Sequence, residues 1–211
     1  MNQIAPFDII KKSLSILLGV YFMSFSYAGF TQSDYLEKGN KYLAEENYGL
    51  AEKTFREAVK ADSSNLIYRS QLALALMNQG KHKEAQVEID LVLAKDSLNS
   101  GALWYGGVNN FIDKTADLRT AIRYFEKVLP LLNEKQGQYY SANWFIGRSY
   151  NILLQSEGLS YNEVSRMIEC YSTYVKLQPN AKDAAAISAF IDRVKDIRPP
   201  ENVKKWVYKG S

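Results

Sequence analysis

The chain holds one cysteine, one histidine and five prolines among 211 residues, and each scarcity removes a class of protein. Cys170 has no second thiol to pair with, so no internal disulfide supports the fold. A lone His82 supplies neither a metal cluster nor a His-based catalytic triad. There is no Gly-rich phosphate loop, no zinc-binding helix with paired histidines and no Gly-x-Ser-x-Gly elbow. The acids Glu45 and Glu46 are adjacent, so they point in different directions around a helix and read as a solvated pair rather than a catalytic one. An excess of charge is lacking too. Twenty-six Lys and Arg face 23 Asp and Glu for a net +3, scattered along the chain, which leaves no concentrated basic footprint for nucleic acid. The reading is a chain without catalytic residues, cofactor or metal. What is present is a composition 46% hydrophobic and 13% aromatic, enough to bury a core.

The N-terminus is unlike the rest. Lys11 and Lys12 precede the apolar run Leu14-Ser-Ile-Leu-Leu-Gly-Val-Tyr-Phe-Met-Ser-Phe25, and Ser26-Tyr27-Ala28 follows. A basic segment, a short apolar segment and a small-x-small site describe a secretory signal peptide over 1–28, cleaved after Ala28. Cleavage removes Asp8, Lys11 and Lys12 and leaves a charge of +2. The expected location is periplasmic or secreted. The apolar run itself is shorter than the roughly 20 residues a spanning helix needs; the competing reading extends it over residues 9–30 as an uncleaved membrane anchor, with Lys11 and Lys12 snorkelling to the interface. No cysteine stands near the cleavage site to carry a lipid.

From residue 32 onward the chain repeats. Tyr35 to Tyr42 aligns with Arg69 to Leu76, Leu103 to Asn110 and Asn143 to Tyr150, which brings Gly39, Ala73, Gly107 and Gly147 into register at spacings of 34, 34 and 40. Each segment precedes a second amphipathic stretch: Ala51, Phe55 and Ala58; Ala85, Ile89 and Val92; Ala121, Phe125 and Val128; Met167, Tyr171 and Tyr174. An i, i+4, i+7 set places one apolar face on a helix. Turn residues at Glu46-Asn47-Tyr48-Gly49 and Asn78-Gln79-Gly80-Lys81 separate the helices. The third unit carries about two extra residues near Asp113 to Leu118 and the fourth about eight near Gln155 to Glu163, counted against a 34-residue period. Ala181 to Ile197 carries an apolar stripe of Ala185, Ile187, Phe190, Ile191 and Val194, the pattern of a terminal cap.

Four such units resemble the tetratricopeptide repeat family, with Tyr35, Gly39, Tyr42, Ala51, Phe55 and Ala58 in that family's characteristic places. The resemblance implies an all-α, right-handed α-solenoid of helix-turn-helix repeats with a C-terminal capping helix. The expected organisation is an array over 29–179, divided near 32–65, 66–99, 100–135 and 140–179, a cap over 180–197 and a tail over 198–211. The tail is disordered, docked on the cap through Trp206 and Tyr208, or a short partner motif.

The resemblance also implies the function. An open stack of helix pairs offers a curved inner face built by the first helix of each pair. Transferred onto this sequence, that face contains Leu36, Asn40 and Leu43; Ser70, Leu74 and Met77; Trp104, Val108 and Phe111; Trp144, Arg148 and Asn151. Some family members clamp a partner's C-terminal carboxylate with Lys, Asn and Arg side chains. Asn40 matches one such position, but Leu36, Leu74 and Asn78 do not supply the rest. The expected mode is an apolar groove that takes a protein or peptide segment, anchored on Trp104, Phe111 and Trp144, in a cell-envelope assembly. The same aromatic spacing equally fits residues packed between repeats. A self-associating scaffold and a carrier of a small apolar ligand are the other readings.

Overall fold

A computed structural model describes residues 32–113 and 116–208. The expected signal peptide, residues 1–28, lies outside the described residues. Among these, nine α-helices follow one another: α1 Gln32–Ala44, α2 Tyr48–Ala61, α3 Leu66–Asn78, α4 His82–Lys95, α5 Ser100–Ile112, α6 Leu118–Val128, α7 Gly137–Ser156, α8 Tyr161–Leu177 and α9 Ala184–Ile197. No β-ladder is present among the described residues; one isolated antiparallel bridge joins Leu159 and Trp206. The fold class is all-α, built of helix-turn-helix repeats.

Local chemistry sets the helix starts. The side chains of Asn47, Asn65 and Asp117 accept from the backbone N–H groups of Leu50, Ile67 and Thr120. Ser160 and Glu163 form a reciprocal capping box at the start of α8. Each cap satisfies amides that the first helical turn leaves without a partner.

The helices divide into two compact units that meet at Asn109 and Asn110, within α5. In the first, α2 packs on α1 and α3, α4 packs on α3, and α1 also touches α3. Ala51, Phe55, Ala58, Ala85, Ile89 and Val92 are all fully buried, which is the face predicted for the second helix of each pair. Gly39 explains the fit of α1 on α2, because a Cβ at Gly39 would stand 2.4 Å from the tip of the Phe55 ring. The repeat uses the missing side chain to seat the aromatic.

In the second unit α6 packs on α7, α7 on α8 and α8 on α9. Ala121, Phe125, Val128, Met167 and Tyr171 are buried, and the Phe125 ring stacks on Phe145 with centroids 4.8 Å apart. Gly147 does for Tyr171 what Gly39 does for Phe55, with 2.5 Å from a built Cβ to the ring. The surplus residues of the fourth repeat extend α7 to 20 residues and then form the turn Glu157-Gly158-Leu159. The cap helix buries Ala184, Ile187, Ile191 and Val194, not the predicted Ala185, which is exposed. Ala184 lies three residues before Ile187, so it continues the i, i+3, i+7 line that Ala185 leaves. The tail does not hang free: Trp206 and Tyr208 dock on the α7–α8 turn and on Phe190 of the cap.

Candidate functional site

The inner-face residues fall in both units, and each set stands in its own surroundings. In the first unit, Leu36 and Asn40 lie on α1 and are half-buried. Leu43 follows on the same helix at 7% exposure. From α3 come Ser70, whose hydroxyl donates back to the Leu66 carbonyl at 2.9 Å, and Leu74 and Met77, exposed by 6% and 4%. Trp104 and Val108 on α5 are 1% and 2% exposed. Leu43, Leu74, Met77, Trp104 and Val108 are thus packed in this chain, the alternative that the same spacing allowed. Six consecutive α3 residues, Leu72 to Met77, are buried, and a helix apolar on every side cannot reveal an inner stripe through its periodicity.

Two polar atoms interrupt this apolar set. Asn40 Oδ1 and Gln71 Oε1 are shielded from solvent and accept no hydrogen bond. A buried acceptor without a donor carries an unrepaid desolvation cost of about 1–3 kcal/mol. Gln71 was absent from the sequence-derived set. Its signal was its polarity just before the run Leu72 to Met77, one residue beyond the assigned Ser70.

In the second unit Phe111 is half-buried and lies against Trp144 and Phe145, with ring centroids at 6.0 and 5.0 Å. Trp144 is 7% exposed. Its indole N–H donates to Asp183 at 2.8 Å, and the Tyr174 hydroxyl donates to the other carboxylate oxygen at 2.8 Å. Trp144 is therefore tied to the start of the cap helix. Asn151 is buried and accepts from Gln155 at 2.9 Å. Arg148 alone of this group is exposed. Burial pushes the Tyr171 phenol up to about 12, against the opposing pull of Asn151 and Arg148.

No reactive group emerges around these residues. Cys170 is buried, and desolvation pushes its thiol up to about 12 in spite of nearby Arg166, so it is a neutral thiol near pH 7. His82 does not stand free at a turn; it opens α4 with Nδ1 2.9 Å from Asn109 Oδ1. Among the described residues no group of three or more His, Cys, Asp and Glu is placed to hold a metal ion, and no helix is long and apolar enough to cross a membrane.

No family model matches the chain, and no curated protein matches it. Solved structures do. A crystal structure of MamA shares 20% identity, covers 81% of this chain and 86% of that one, and superposes with a TM-score of 0.64. MamA from residue 41 onward from Desulfovibrio magneticus RS-1 gives 17%, 82%, 100% and 0.61 in the same order. A tetratricopeptide repeat protein from Parabacteroides merdae gives 15%, 80%, 61% and 0.61. Likeness at these identities establishes the fold, the helix-turn-helix repeat of tetratricopeptide solenoids.

Proposed function

We propose that this chain is an exported, non-enzymatic adaptor that binds a segment of another protein along the inner faces of its first helices, within a cell-envelope assembly. The observation that carries this reading is the pair of shielded, unpaired side-chain carbonyls, Asn40 Oδ1 and Gln71 Oε1, beside half-buried Leu36 and Ser70. Small displacements of half-buried Leu36 and Ser70 would open these shielded oxygens to the N–H donors of an extended or helical segment, whose apolar side chains then cover Leu36. The fold supports the reading, because repeat solenoids present side chains of successive helices on one face. Recognition in the first unit is then polar contacts on an apolar floor. That differs from the aromatic groove read from the sequence. Arg148, exposed on α7, is a separate candidate contact within the second unit. The basic then apolar pattern of residues 11–28, read as a signal peptide, supports export.

A photo-crosslinking residue at Leu36, compared with one at Val87, tests this. Val87 on α4 is 57% exposed and lies outside the proposed face. The expected result in cognate envelope fractions is a discrete adduct from position 36, lost in the Asn40→Leu, Gln71→Leu chain, and none from position 87. Adducts from position 87 alone, or adducts from position 36 that persist without the two amides, overturn the reading. Adducts only between copies of the chain favour the self-associating scaffold.

A further inference from the structure

The tail of the second unit makes contacts of a different kind from any repeat. Leu159, in the turn between α7 and α8, donates its N–H to the Trp206 carbonyl at 2.8 Å and accepts from the Trp206 N–H at 2.8 Å. The Tyr208 N–H donates to the Leu154 carbonyl at 3.2 Å. Leu154 is in the last turn of α7, where carbonyls have no intrahelical donor. The corner thus offers one donor and two acceptors to an extended strand. Gly158 makes the approach possible. Its φ is +84°, and a Cβ there would stand 2.9 Å from the Trp206 carbonyl oxygen and 2.8 Å from Val207 Cγ2.

The side chains alternate as a strand requires. Tyr208 sits 6.4 Å from Phe190, and Trp206 lies 5.7 Å from Tyr208, both as ring centroids. Phe190 in turn meets Tyr171 edge-on at 6.2 Å. Val207 between them is 43% exposed, with Cγ2 beside Gly158. The tail is fastened at its two ends. Arg198 stacks its guanidinium 3.5 Å over the Tyr161 ring and donates to the Tyr161 carbonyl and to Ser165 Oγ. Between Arg198 and Trp206 the chain borders an open cavity of about 410 Å³, lined by Ser160, Tyr161, Asn162, Glu201, Val203 and Lys204. Arg198 is held apart from the corner and keeps the tether in place when residues 205–208 leave, a departure that bares Leu159, 1% exposed here.

We propose that the α7–α8 corner is a socket for an extended peptide with aromatic residues at positions i and i+2, occupied here by the chain's own Trp206-Val207-Tyr208. Main-chain pairing to Leu159 and Leu154 holds the strand, and Phe190, backed by Tyr171, meets its second aromatic side chain while the first packs on the second. This is strand addition at a single corner. The tethered tail competes at a local concentration in the millimolar range, so a partner segment of the same pattern engages when it displaces the tail. The site uses none of the inner-face residues.

The probe is the free peptide Glu-Asn-Val-Lys-Lys-Trp-Val-Tyr, titrated into the full chain while the backbone amides are followed by NMR. Two tail-released chains are used. Trp206→Ala with Tyr208→Ala removes the aromatic side chains, and Trp206→Pro removes the donating N–H. In either chain the peptide is expected to shift the Gly158 and Leu159 amides saturably, with affinity at least roughly tenfold above that for the unsubstituted chain. A peptide with alanine at both aromatic positions is expected to give no saturable shift, and Gly158→Ala added to the tail-released chain is expected to abolish binding. Three results overturn the socket: no saturable shift in a tail-released chain of unchanged helix content, equal affinity for released and unsubstituted chains, or binding that survives Gly158→Ala.

Discussion

Trp144 and Tyr174, on different helices, hold the two carboxylate oxygens of one residue, Asp183, each at 2.8 Å. Asp183 immediately precedes the cap helix α9, so the pair ties that helix to the last repeat. Tyr174 shows the strength of the environment: burial, with the hydrogen bond to Asp183 behind it, raises its phenol well above the ordinary range. Removing the acceptor in Asp183→Leu leaves an indole N–H and a phenol without a partner, and the expected cost is about 2–3 kcal/mol. Trp144→Phe keeps most of the ring packing and loses one hydrogen bond, for about 1 kcal/mol. Amide exchange locates the effect. Both variants are expected to speed exchange across α9 before α1–α4, with Asp183→Leu the larger.

The two close-approach glycines make a second prediction. Alanine in a helix interior ordinarily gains about 1 kcal/mol over glycine. At Gly39 and Gly147 the added methyl meets the Phe55 and Tyr171 rings at 2.4 and 2.5 Å, and those rings are 0% and 1% exposed, without room to retreat. Overpacking of this sort costs about 1–3 kcal/mol. Gly39→Ala and Gly147→Ala are therefore expected to lower the urea midpoint, reversing the propensity gain. Phe55→Leu added to Gly39→Ala is expected to destabilise less than the sum of the single changes, since the smaller side chain vacates the space the methyl needs.

How much of this was legible follows from what periodicity encodes. The second helix of each pair is amphipathic, with one buried face, and its residues Ala51, Phe55, Ala85, Ile89, Ala121 and Phe125 could be read directly from spacing. The glycine register carried the same information about helix approach. The first helices are different. Ala102 to Asn109 and Ser141 to Gly147 are buried without interruption, so no stripe separates core from binding face. Trp104 and Trp144 fitted either the groove or packing between repeats, and both are buried. The link from Trp144 to Asp183 spans 39 residues, a separation that no local pattern signals. Docking of Trp206 on Leu159 was open for the same reason.

Glu52 provides a pH test in the first unit. Burial alone would raise its carboxyl, but hydrogen bonds from Lys81, Arg56 and Gln79 outweigh that and lower it from 4.5 to about 2. A carboxylate whose folded value lies below its unfolded value contributes stability above the unfolded value, and that contribution is lost as pH falls towards the folded one. The window here runs from about 4.5 down to about 2. Solvent reaches the partners Arg56 and Lys81, with side chains 42% and 40% exposed, so the contribution is discounted to about 1 kcal/mol. Glu52→Gln is expected to be less stable than the parent by that amount at pH 7, measured by urea unfolding. The difference should shrink steadily below pH 4.5; a difference independent of pH would remove the ion pair as its cause.

Burial also decides which substitutions can test binding. Trp104 is 1% exposed, and truncating a buried tryptophan costs about 3–5 kcal/mol, a large share of the 5–15 kcal/mol that holds a typical domain together. Loss of a partner in Trp104→Ala would report unfolding rather than a lost contact. Arg148 is exposed and Leu36 is half-buried, so Arg148→Ala is expected to change stability by no more than about 0.5 kcal/mol and Leu36→Ala by about 1 kcal/mol. Partner capture should fall in both while the circular dichroism spectrum stays that of the parent. If capture is lost in Trp104→Ala in proportion to its unfolded fraction and is unchanged in Leu36→Ala and in Arg148→Ala, neither position contacts the partner.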